Sequence, residues 1–545
     1  MKRLILVLLA VLSVAALPRT ASAQAQPDTV VLAFSRQPDF LFPDYAVTST
    51  AGFAMRVLYN ALVKAGPDGK LVGDLAASWE VSADKLTWTF KLRPDAKWHD
   101  GQPVTAADVS YSFTFPADKD YTGLASDVSL ALKGAQEYKD GKAKEIEGIK
   151  VIDDHTVSLT TLVPSALFLN LQGARYILPA HVLKAVPVKD LATSSQARSP
   201  IGTGPYKLIA WKTDELLTYT RFDDYYGDKA KIKNYIWKII PEQSVQITEL
   251  LGGTVDIVPE VLPDDFGDLK TNTAVKTLQL PGVNFTMLQL NQKNPLFADV
   301  RVRQAISYAI DRQSIIKAVG GGFGIEVTSI VHPSLPEYNK TLKGYPFNLN
   351  KAKALLAEVG WTDANSDGVL KAKGVKGVAD GTKFSVEMGT FNRPLYQNQV
   401  QIIQQNLKIV GIETAIKVVD FNTYFSDYLT GTSNYQIGIS GWFAFEQIPQ
   451  GELLGNFGKD QPQNWVHWAS TDEFEKILKD APTEFDADKR NKLYWRAEEI
   501  LEQEAVWVNL TRLDNLIAYS SKLKVPEVKS QSALFSSVGQ WEWAK

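Results

Sequence analysis

The stretch Gly73–Phe113 has the most strongly determined local structure in this chain. Apolar and polar residues alternate over Leu86–Leu92, which is the pattern of a strand with one buried face. The apolar face carries Leu86, Trp88, Phe90 and Leu92. After a turn, a helix is predicted to begin at Thr105, with Asp108 completing a capping box. The stretch therefore predicts a strand, a turn and a helix that pack as one unit.

Length and composition narrow the class of protein. The chain has 545 residues, which is too many for one hydrophobic core, so two or three domains are expected. Its formal net charge of −3 and its pI of about 6.1 argue against a general nucleic-acid-binding protein, which would be basic. The absence of cysteine excludes disulfides and thiolate chemistry, and no two of the five histidines have metal-binding spacing. We expect neither a cofactor nor a metal centre built on side chains.

The N-terminus has the pattern of a cleavable signal peptide. Lys2 and Arg3 precede an apolar run over Leu4–Leu17, and Ala21–Ala23 has the A-x-A form of a cleavage site. The apolar run is shorter than the ~20 residues that span a membrane. Residues 1–23 are therefore predicted to be removed. We expect a soluble, periplasmic protein, and without cysteine there is no lipid anchor.

Further along the chain, strand patterns and helix patterns follow one another. Helical spacing extends over Ala51–Val63, and Asn284–Asn291 alternates as a strand does. Ser470 and Glu473 have the spacing of a capping box at the start of another helix. Helices and strands that succeed each other in this way are typical of α/β folds.

One acidic loop resembles the first half of a calcium-binding loop. Asp363, Asn365 and Asp367 have the required spacing and are followed by glycine, but the twelfth position is Gly374 where a glutamate is needed. A hydrogen-bonded turn built from Asp and Asn side chains explains the same residues. Whether the loop binds calcium stays open at this point.

Four separated segments resemble one protein family and occur in that family's order. They are Gly73–Phe113, Ser199–Tyr206, Asn291–Gly322 and Asn348–Trp361. Together they are similar to the extracytoplasmic solute-binding proteins of the peptide/nickel class (family 5), which include dipeptide- and oligopeptide-binding proteins and feed ABC importers. The similarity covers essentially the whole chain after the leader.

The resemblance implies a periplasmic-binding-protein-like, two-lobed α/β fold (the Venus flytrap, cluster C type), with an extra domain inserted in the first lobe. The implied boundaries are 24–70, 200–283 and 510–545 for lobe 1, 71–199 for the extra domain, and 284–509 for lobe 2. The hinge is expected at the two places where the chain passes between the lobes, near residues 284 and 510.

The resemblance also implies where ligand binds. In dipeptide-binding members an arginine in a similar R-P-Y-N context holds the ligand carboxylate, and Arg393 has the matching context here. A planar guanidinium suits that task because it binds a carboxylate through two hydrogen bonds. A solvated loop arginine or a structural ion pair is the alternative explanation of the same residue.

A second part of the implied site follows the Gly-Trp pair at Trp442. Peptide-binding members have an aspartate three residues after the Gly-Trp, which binds the ligand's amino group; Phe445 occupies that position here. Either Glu446 takes over the task or the amine site is missing. Trp442 is expected to line the pocket, and Phe445 either stacks on a ligand or packs within the loop.

The expected function is therefore that of an ABC importer's substrate-binding component, which captures a di- or oligopeptide-sized solute by lobe closure. The expected partners are the inner-membrane permease and its ATPase; the receptor is expected to be a monomer, not an enzyme. An oligosaccharide or opine-like ligand is the alternative, since Phe445 departs from the peptide pattern; nickel transport is disfavoured by the few histidines. A secreted hydrolase is the competing class, but no nucleophile or zinc motif occurs.

Overall fold

The computed structural model describes residues 28–46, 48–66, 70–123, 126–429, 436–443 and 449–544. The predicted signal peptide therefore lies outside the described residues. Three sheets of four or more strands organise the rest, and each has its own hydrophobic cluster of buried side chains. We call the parts that contain them lobe 1 (residues 28–70, 200–283 and 510–544), lobe 2 (284–509) and the extra domain (71–199). These limits are the predicted ones and remain a prediction.

Lobe 1 is built on an eight-stranded mixed sheet. In spatial order its strands are Val275–Pro281, Thr511–Ser520, Ile257–Val258, Thr29–Phe34, Asn234–Ile239, Leu216–Arg221 and Tyr206–Lys212, and Gly324–Glu326 pairs with Thr511–Ser520 from outside this path. The strand Thr29–Phe34 is parallel to both of its neighbours. Its central position explains its nearly continuous apolar sequence, because both faces of the sheet are covered there. The helices of this lobe are Ser49–Met55, Gln243–Gly252, Pro263–Leu269 and Gln531–Ser536.

Lobe 2 has a five-stranded sheet with helices on both faces. Its strands in spatial order are Glu413–Val419, Ser385–Phe391, Ile437–Phe443, Asn284–Leu290 and Trp507–Asn509. One face packs on a core that includes the buried faces of the helices Val300–Ala309, Leu349–Val359 and Pro394–Ile409. The other face packs on the helices Gln450–Phe457, Asp472–Asp480 and Ala487–Gln503. Lobe 2 also contains the helices Arg312–Gly320 and Phe421–Leu429.

The extra domain has a four-stranded antiparallel sheet. Its strands in spatial order are Ala76–Val81, Thr87–Leu92, Thr156–Thr160 and Ile149–Asp153. As the alternation predicted, Trp88, Phe90 and Leu92 are buried on one face. The helix Ala106–Thr114 begins after Thr105 with the predicted capping box, in which the Asp108 carboxylate accepts from the Thr105 backbone N–H at 2.8 Å. The shorter helices are Ser126–Leu130, Ala135–Lys139 and Ala180–Leu183.

Three further strand pairs are short. They are Val63–Ala65 with Leu71–Gly73, Trp361–Thr362 with Lys371–Ala372, and Leu523–Lys524 with Glu542–Trp543. None of the helices in the part of the chain that the structure describes is long and apolar enough to cross a bilayer.

The chain crosses between the two large sheets at two adjacent places, and the short strand Gly324–Glu326, which lies within the lobe 2 limits, pairs beside them with the start of Thr511–Ser520. Val275–Pro281 in lobe 1 is followed after two residues by Asn284–Leu290 in lobe 2, and Trp507–Asn509 in lobe 2 is followed after Leu510 by Thr511–Ser520 in lobe 1. The two crossings are hydrogen-bonded to each other, since the Leu510 N–H donates to the Thr286 carbonyl at 2.9 Å. Two short neighbouring crossings form an axis about which two rigid bodies can rotate.

Two sequence predictions about helices were wrong in detail. The helix predicted over Ala51–Val63 ends at Met55, because the carbonyls of Val57 and Leu58 accept hydrogen bonds from the backbone of Tyr206 and Gly204. The N-cap predicted at Ser470 is Thr471, whose hydroxyl accepts from the Phe474 N–H at 3.1 Å. In the first case a distant segment decides the boundary, and in the second a neighbouring hydroxyl takes the capping position.

Candidate functional site

The topology of the lobe 2 sheet indicates which of its edges is the candidate ligand-binding edge. Its parallel strands Ser385–Phe391, Glu413–Val419 and Ile437–Phe443 all end at the same edge. Asn284 pairs with Phe443 in the antiparallel register, so the crossing from lobe 1 arrives at that edge too. In α/β sheets, ligands bind outside the carboxyl ends of the parallel strands, where the chain turns in opposite directions.

Lobe 1 presents the corresponding edge of its own sheet to the crossings. Thr29–Phe34 and Asn234–Ile239 are parallel, and Val275–Pro281 ends opposite Asp514 near the start of the strand Thr511–Ser520. Both sheets therefore direct the carboxyl ends of their parallel strands towards the hinge. The space between these two edges is a cleft between lobes.

Arg393 lies at this edge of lobe 2. It follows the strand Ser385–Phe391 and is the N-cap residue of the helix Pro394–Ile409, where proline at the first helical position needs no hydrogen bond for its nitrogen. Its guanidinium carbon is 4.9 Å from the ring centroid of Phe421 and 5.7 Å from that of Phe391. The side chain is exposed, and no carboxylate among the described residues forms an ion pair with it. Its charge is available to a ligand.

Trp442 lies near the end of the strand Ile437–Phe443 and is half-buried. Its ring meets that of Trp465 edge-on at 5.9 Å and lies 6.3 Å from that of Trp507. Its indole N–H has no acceptor among the described residues. An indole N–H that is shielded from water is normally hydrogen-bonded, so an acceptor from a ligand or from solvent is expected there.

An aromatic cluster joins the surroundings of Arg393 to those of Trp442. The members that the sequence analysis missed are Tyr396, Phe421, Tyr424 and Trp465. The rings of Phe391 and Tyr396 lie 4.3 Å apart. The Tyr396 hydroxyl approaches Gly441 so closely that a Cβ there would lie 2.2 Å from it. Thus the glycine of the Gly-Trp pair leaves room for the Tyr396 hydroxyl against the strand.

The other predicted site residues are Phe445 and Glu446. Both lie outside the described residues, because the segments 430–435 and 444–448 are not described. Whether Glu446 binds an amine therefore stays a prediction.

Arg512 supports the hinge beneath the cleft. It is almost completely buried, and its guanidinium donates to the carbonyls of Gly282 at 2.9 Å and Val283 at 3.3 Å on the other crossing. Burial lowers the pKa of Arg512 to about 10, so it remains charged at neutral pH. The Thr286 hydroxyl adds a bond to the Gln399 side-chain oxygen at 2.9 Å, which ties the crossing to the helix that follows Arg393.

A separate small cavity lies wholly within lobe 2. Its polar lining includes Arg312, Ser329, Glu498 and Asn509. Burial raises the pKa of Glu498 to about 8, and its carboxyl accepts a hydrogen bond from Ser329. Because only lobe 2 encloses it, lobe closure does not form this cavity, and it is distinct from the cleft.

The calcium-like loop is a turn held by its own side chains. The Asp363 carboxylate accepts from the backbone N–H groups of Asp367 at 3.1 Å and Gly368 at 3.0 Å. The Lys371 ammonium lies 2.7 Å from the Asp367 carboxylate and, with other hydrogen bonds, lowers the pKa of that carboxyl. This favours the hydrogen-bonded turn over a calcium loop. Over the described ranges, no cluster of three His, Asp or Glu side chains is arranged to hold a metal ion.

Two lobes are joined by paired crossings, and the facing edge carries aromatic rings and an arginine that has no carboxylate partner among the described residues. These features define a binding receptor of the two-lobed type. Comparison of the sequence with models of protein families identifies the family. Residues 70–464 match the model of the bacterial extracellular solute-binding proteins, family 5 (middle region). This chain belongs to that family, as the four segments predicted, and family members act with ABC importers outside the cytoplasm.

Individual relatives agree with this assignment. The dipeptide-binding protein of Escherichia coli K12 is 30% identical over 89% of each chain. Haem-binding protein A of Haemophilus influenzae is 26% identical over 93% of this chain and 91% of its own. The solved structure of HbpA2 from Haemophilus parasuis superposes with a TM-score of 0.79 at 25% identity, covering 95% of this chain and all of the other. The two-lobed α/β fold is thus confirmed.

Proposed function

We propose that this receptor binds a short peptide in the cleft and that Arg393 holds the peptide's carboxylate. The observation that carries the proposal is the exposed guanidinium of Arg393, which lies close to the rings of Phe421 and Phe391 and has no carboxylate partner in the described part of the chain. A guanidinium that already contacts aromatic rings loses less conformational entropy when it binds a carboxylate.

The aromatic residues beside it supply the apolar part of the pocket. Trp442 and the rings packed around Tyr396 form a largely apolar wall. A buried ligand site typically combines such a wall with a few polar groups that fix orientation. A peptide has both features, since its side chains are partly apolar and its C-terminus is charged.

Ligand binding drives closure because the bound ligand contacts both lobes. A ligand that contacts both lobes stabilises the closed form over the open one by its differential affinity. The receptor then presents the closed form to the permease and its ATPase. We infer that it acts as an exported monomer without a lipid anchor and that it performs no catalysis.

Co-purification and thermal shift test the ligand. The protein is expressed with its N-terminal segment and recovered from the periplasmic fraction, and bound molecules are identified by mass spectrometry after denaturation. Protein refolded without ligand is then screened with dipeptides and tripeptides. A peptide that binds with [L] at 100 Kd should stabilise the fold by about 2.7 kcal/mol.

Arg393→Gln should abolish or strongly weaken that peptide stabilisation. Arg198→Gln is the matched control, because Arg198 is also exposed and lies over an aromatic ring away from lobe 2. Its guanidinium carbon is 3.9 Å from the ring centroid of Trp211. Equal binding by the two variants would contradict the role of Arg393. Unchanged peptide masses after long incubation are expected, and cleavage would favour the hydrolase class.

An oligosaccharide or opine-like ligand is the second candidate, because the aromatic wall suits a flat or apolar face as well as a peptide side chain. The same screen includes oligosaccharides, octopine-type compounds and haemin, since a relative is named for haem binding. Stabilisation by one of these with no response to any peptide would replace the peptide proposal. Light scattering coupled to size exclusion tests the monomer.

A further inference from the structure

The extra domain touches lobe 2 at a place remote from the hinge. The Ala166 N–H in the extra domain donates to the Pro482 carbonyl in lobe 2 at 2.7 Å. We call the two segments, residues 164–169 and 481–486, the distal contact. Its hydrogen bond joins two parts of the chain that are more than 300 positions apart.

Each side of the distal contact places one apolar residue against the core of the other. Leu167 of the extra domain is 1% exposed and belongs to the lobe 2 cluster that contains Ala481 and Tyr494. In return, Phe485 of lobe 2 packs against the extra domain's cluster, where its ring is stacked with Trp88 at 6.5 Å. The exchange is specific, because the next residue, Phe168, turns back to stack on Trp88 at 5.2 Å.

The extra domain cannot follow lobe 2 when the lobes separate, because it is fixed to lobe 1. The buried Asp74 carboxylate of the extra domain accepts from the side chain of Asn60 at 3.0 Å, from the Ala61 N–H at 3.1 Å and from Tyr226 at 2.7 Å. A second buried connection is the ion pair of Arg175 with Asp44. Opening at the hinge therefore breaks the distal contact first.

The helix Ala487–Gln503 gives the approximate distance between the distal contact and the hinge. It begins directly after Phe485 and ends shortly before the strand Trp507–Asn509, whose end forms one of the crossings. Seventeen residues of helix span about 25 Å at 1.5 Å per residue. At that distance from the axis, a rotation of a few degrees is enough to withdraw a side chain from its contact.

We propose that the distal contact is a latch that holds the two lobes together without touching the ligand. It contributes to the closed state of the empty receptor as well as the loaded one, so it sets how often the empty cleft opens. The inference rests on the proposed function only in that the lobes open and close.

The size of the effect follows from the burial. Truncating a buried leucine to alanine removes most of its packing contacts and strongly destabilises the core around it. Part of this is recovered at a separable surface because water fills the space, so the open-to-closed ratio should rise on the order of tenfold or more in Leu167→Ala. Phe485 is half-buried in this structure, so Phe485→Ala should shift the ratio in the same direction.

The absence of native cysteine makes the measurement direct. Donor and acceptor dyes are attached to Glu145→Cys in the extra domain and Lys492→Cys in lobe 2, both exposed positions outside the distal contact. Single-molecule energy transfer is recorded on protein refolded without ligand. Leu162→Ala is the matched control, because Leu162 is a 58% exposed leucine five residues before Leu167.

Leu167→Ala and Phe485→Ala should each increase the low-transfer population relative to the parent, and Leu162→Ala should not. Equal populations in all four proteins, each with native circular dichroism, would overturn the latch. If Leu167→Ala fails to fold, Phe485→Ala alone decides, since its side chain is half-exposed. The ligand screen is a separate measurement, so a failed peptide proposal and a failed latch give different results.

Discussion

The extra domain has two interfaces that differ in chemistry. Towards lobe 1 it is joined by buried polar groups, including the Asp74 carboxylate and the pair of Arg175 with Asp44. Towards lobe 2 the contact includes two exchanged apolar side chains, one backbone hydrogen bond and an exposed lysine over one of the rings. Breaking the first interface leaves buried charges without partners, whereas the second exposes modest apolar area. The interface with lobe 1 should therefore stay intact when the lobes move, and the contact with lobe 2 should separate.

The extra domain is also attached to a tightly packed loop of lobe 1. The loop that carries Gly202 and Gly204 lies against the carbonyls of Leu58 and Val57, where a Cβ on either glycine would lie 1.9 or 2.3 Å from an oxygen. His99 of the extra domain completes this region. Its Nδ1 accepts from the Gly202 N–H at 3.1 Å, so Nε2 carries the proton and donates to the Gly204 carbonyl at 3.1 Å.

Asp74→Ala should have the largest effect on stability. It removes the acceptor shared by Asn60, Ala61 and Tyr226 and leaves their buried donors unsatisfied. A loss of about 3–5 kcal/mol of unfolding free energy is expected. Denaturant unfolding of the ligand-free protein measures it, with Asp74→Asn as the milder control. A loss below ~1 kcal/mol would mean that this interface is not the permanent one.

His99 makes the same interface sensitive to acid. Desolvation lowers the pKa of His99 to about 4, from an ordinary value near 6.5. Because the folded protein disfavours the charged ring, the contribution is complete above pH 6.5 and is lost as pH falls towards 4. Linkage predicts a loss on the order of 2–3 kcal/mol across that window.

Melting temperatures measured from pH 7 to pH 4 test this prediction, with His99→Gln as the comparison. The variant should be less stable than the parent at pH 7 and should lose less stability on acidification. Parallel pH profiles for the two proteins would show that His99 does not titrate in this window.

Phe485→Ala should have a smaller effect on unfolding than on opening. Its ring packs on the extra domain only while the lobes are closed, so its removal should lower the unfolding free energy by no more than about 1 kcal/mol. Differential scanning calorimetry of the ligand-free protein measures this. A loss as large as that of Asp74→Ala would erase the distinction between the two interfaces.

Lys85→Ala should have the smallest effect. The Lys85 ammonium is exposed and lies 5.4 Å from the centre of the Phe485 ring. Cation–π contacts at exposed sites contribute about 0.5–1 kcal/mol. The apolar packing of the latch does not depend on this charge. The low-transfer population should rise by no more than a few-fold. An effect equal to that of Leu167→Ala would shift the latch from apolar packing to electrostatics.

Local patterns predicted the elements but not the surfaces between them. The strand through Trp88 and the capping box at Thr105 depend on neighbours within a few residues, and both are confirmed. Leu167 and Phe168 are consecutive apolar residues, and nothing in their spacing shows that they enter different cores. That division depends on the fold of lobe 2, which the chain forms more than a hundred residues later.

The sequence predicted the candidate site only in part, for the same reason. Arg393 and Trp442 were found through the family resemblance, because their motifs are local. Tyr396 and Trp465 became visible only when strand ends and a loop met at one edge of the sheet. The helix predicted to reach Val63 failed for a related reason, since the loop at Gly204 takes the carbonyl that a longer helix needs.

The hinge cation has a consequence for the conditions in which the receptor works. Arg512 is held by the peptide carbonyls of Gly282 and Val283, which do not titrate, and no carboxylate forms an ion pair with it within the described ranges. A buried charge bound to neutral oxygens is little affected by dissolved ions. An exported protein experiences the salt and acidity of its surroundings. The geometry of the hinge around Arg512 should therefore be the same at low and at high salt concentration.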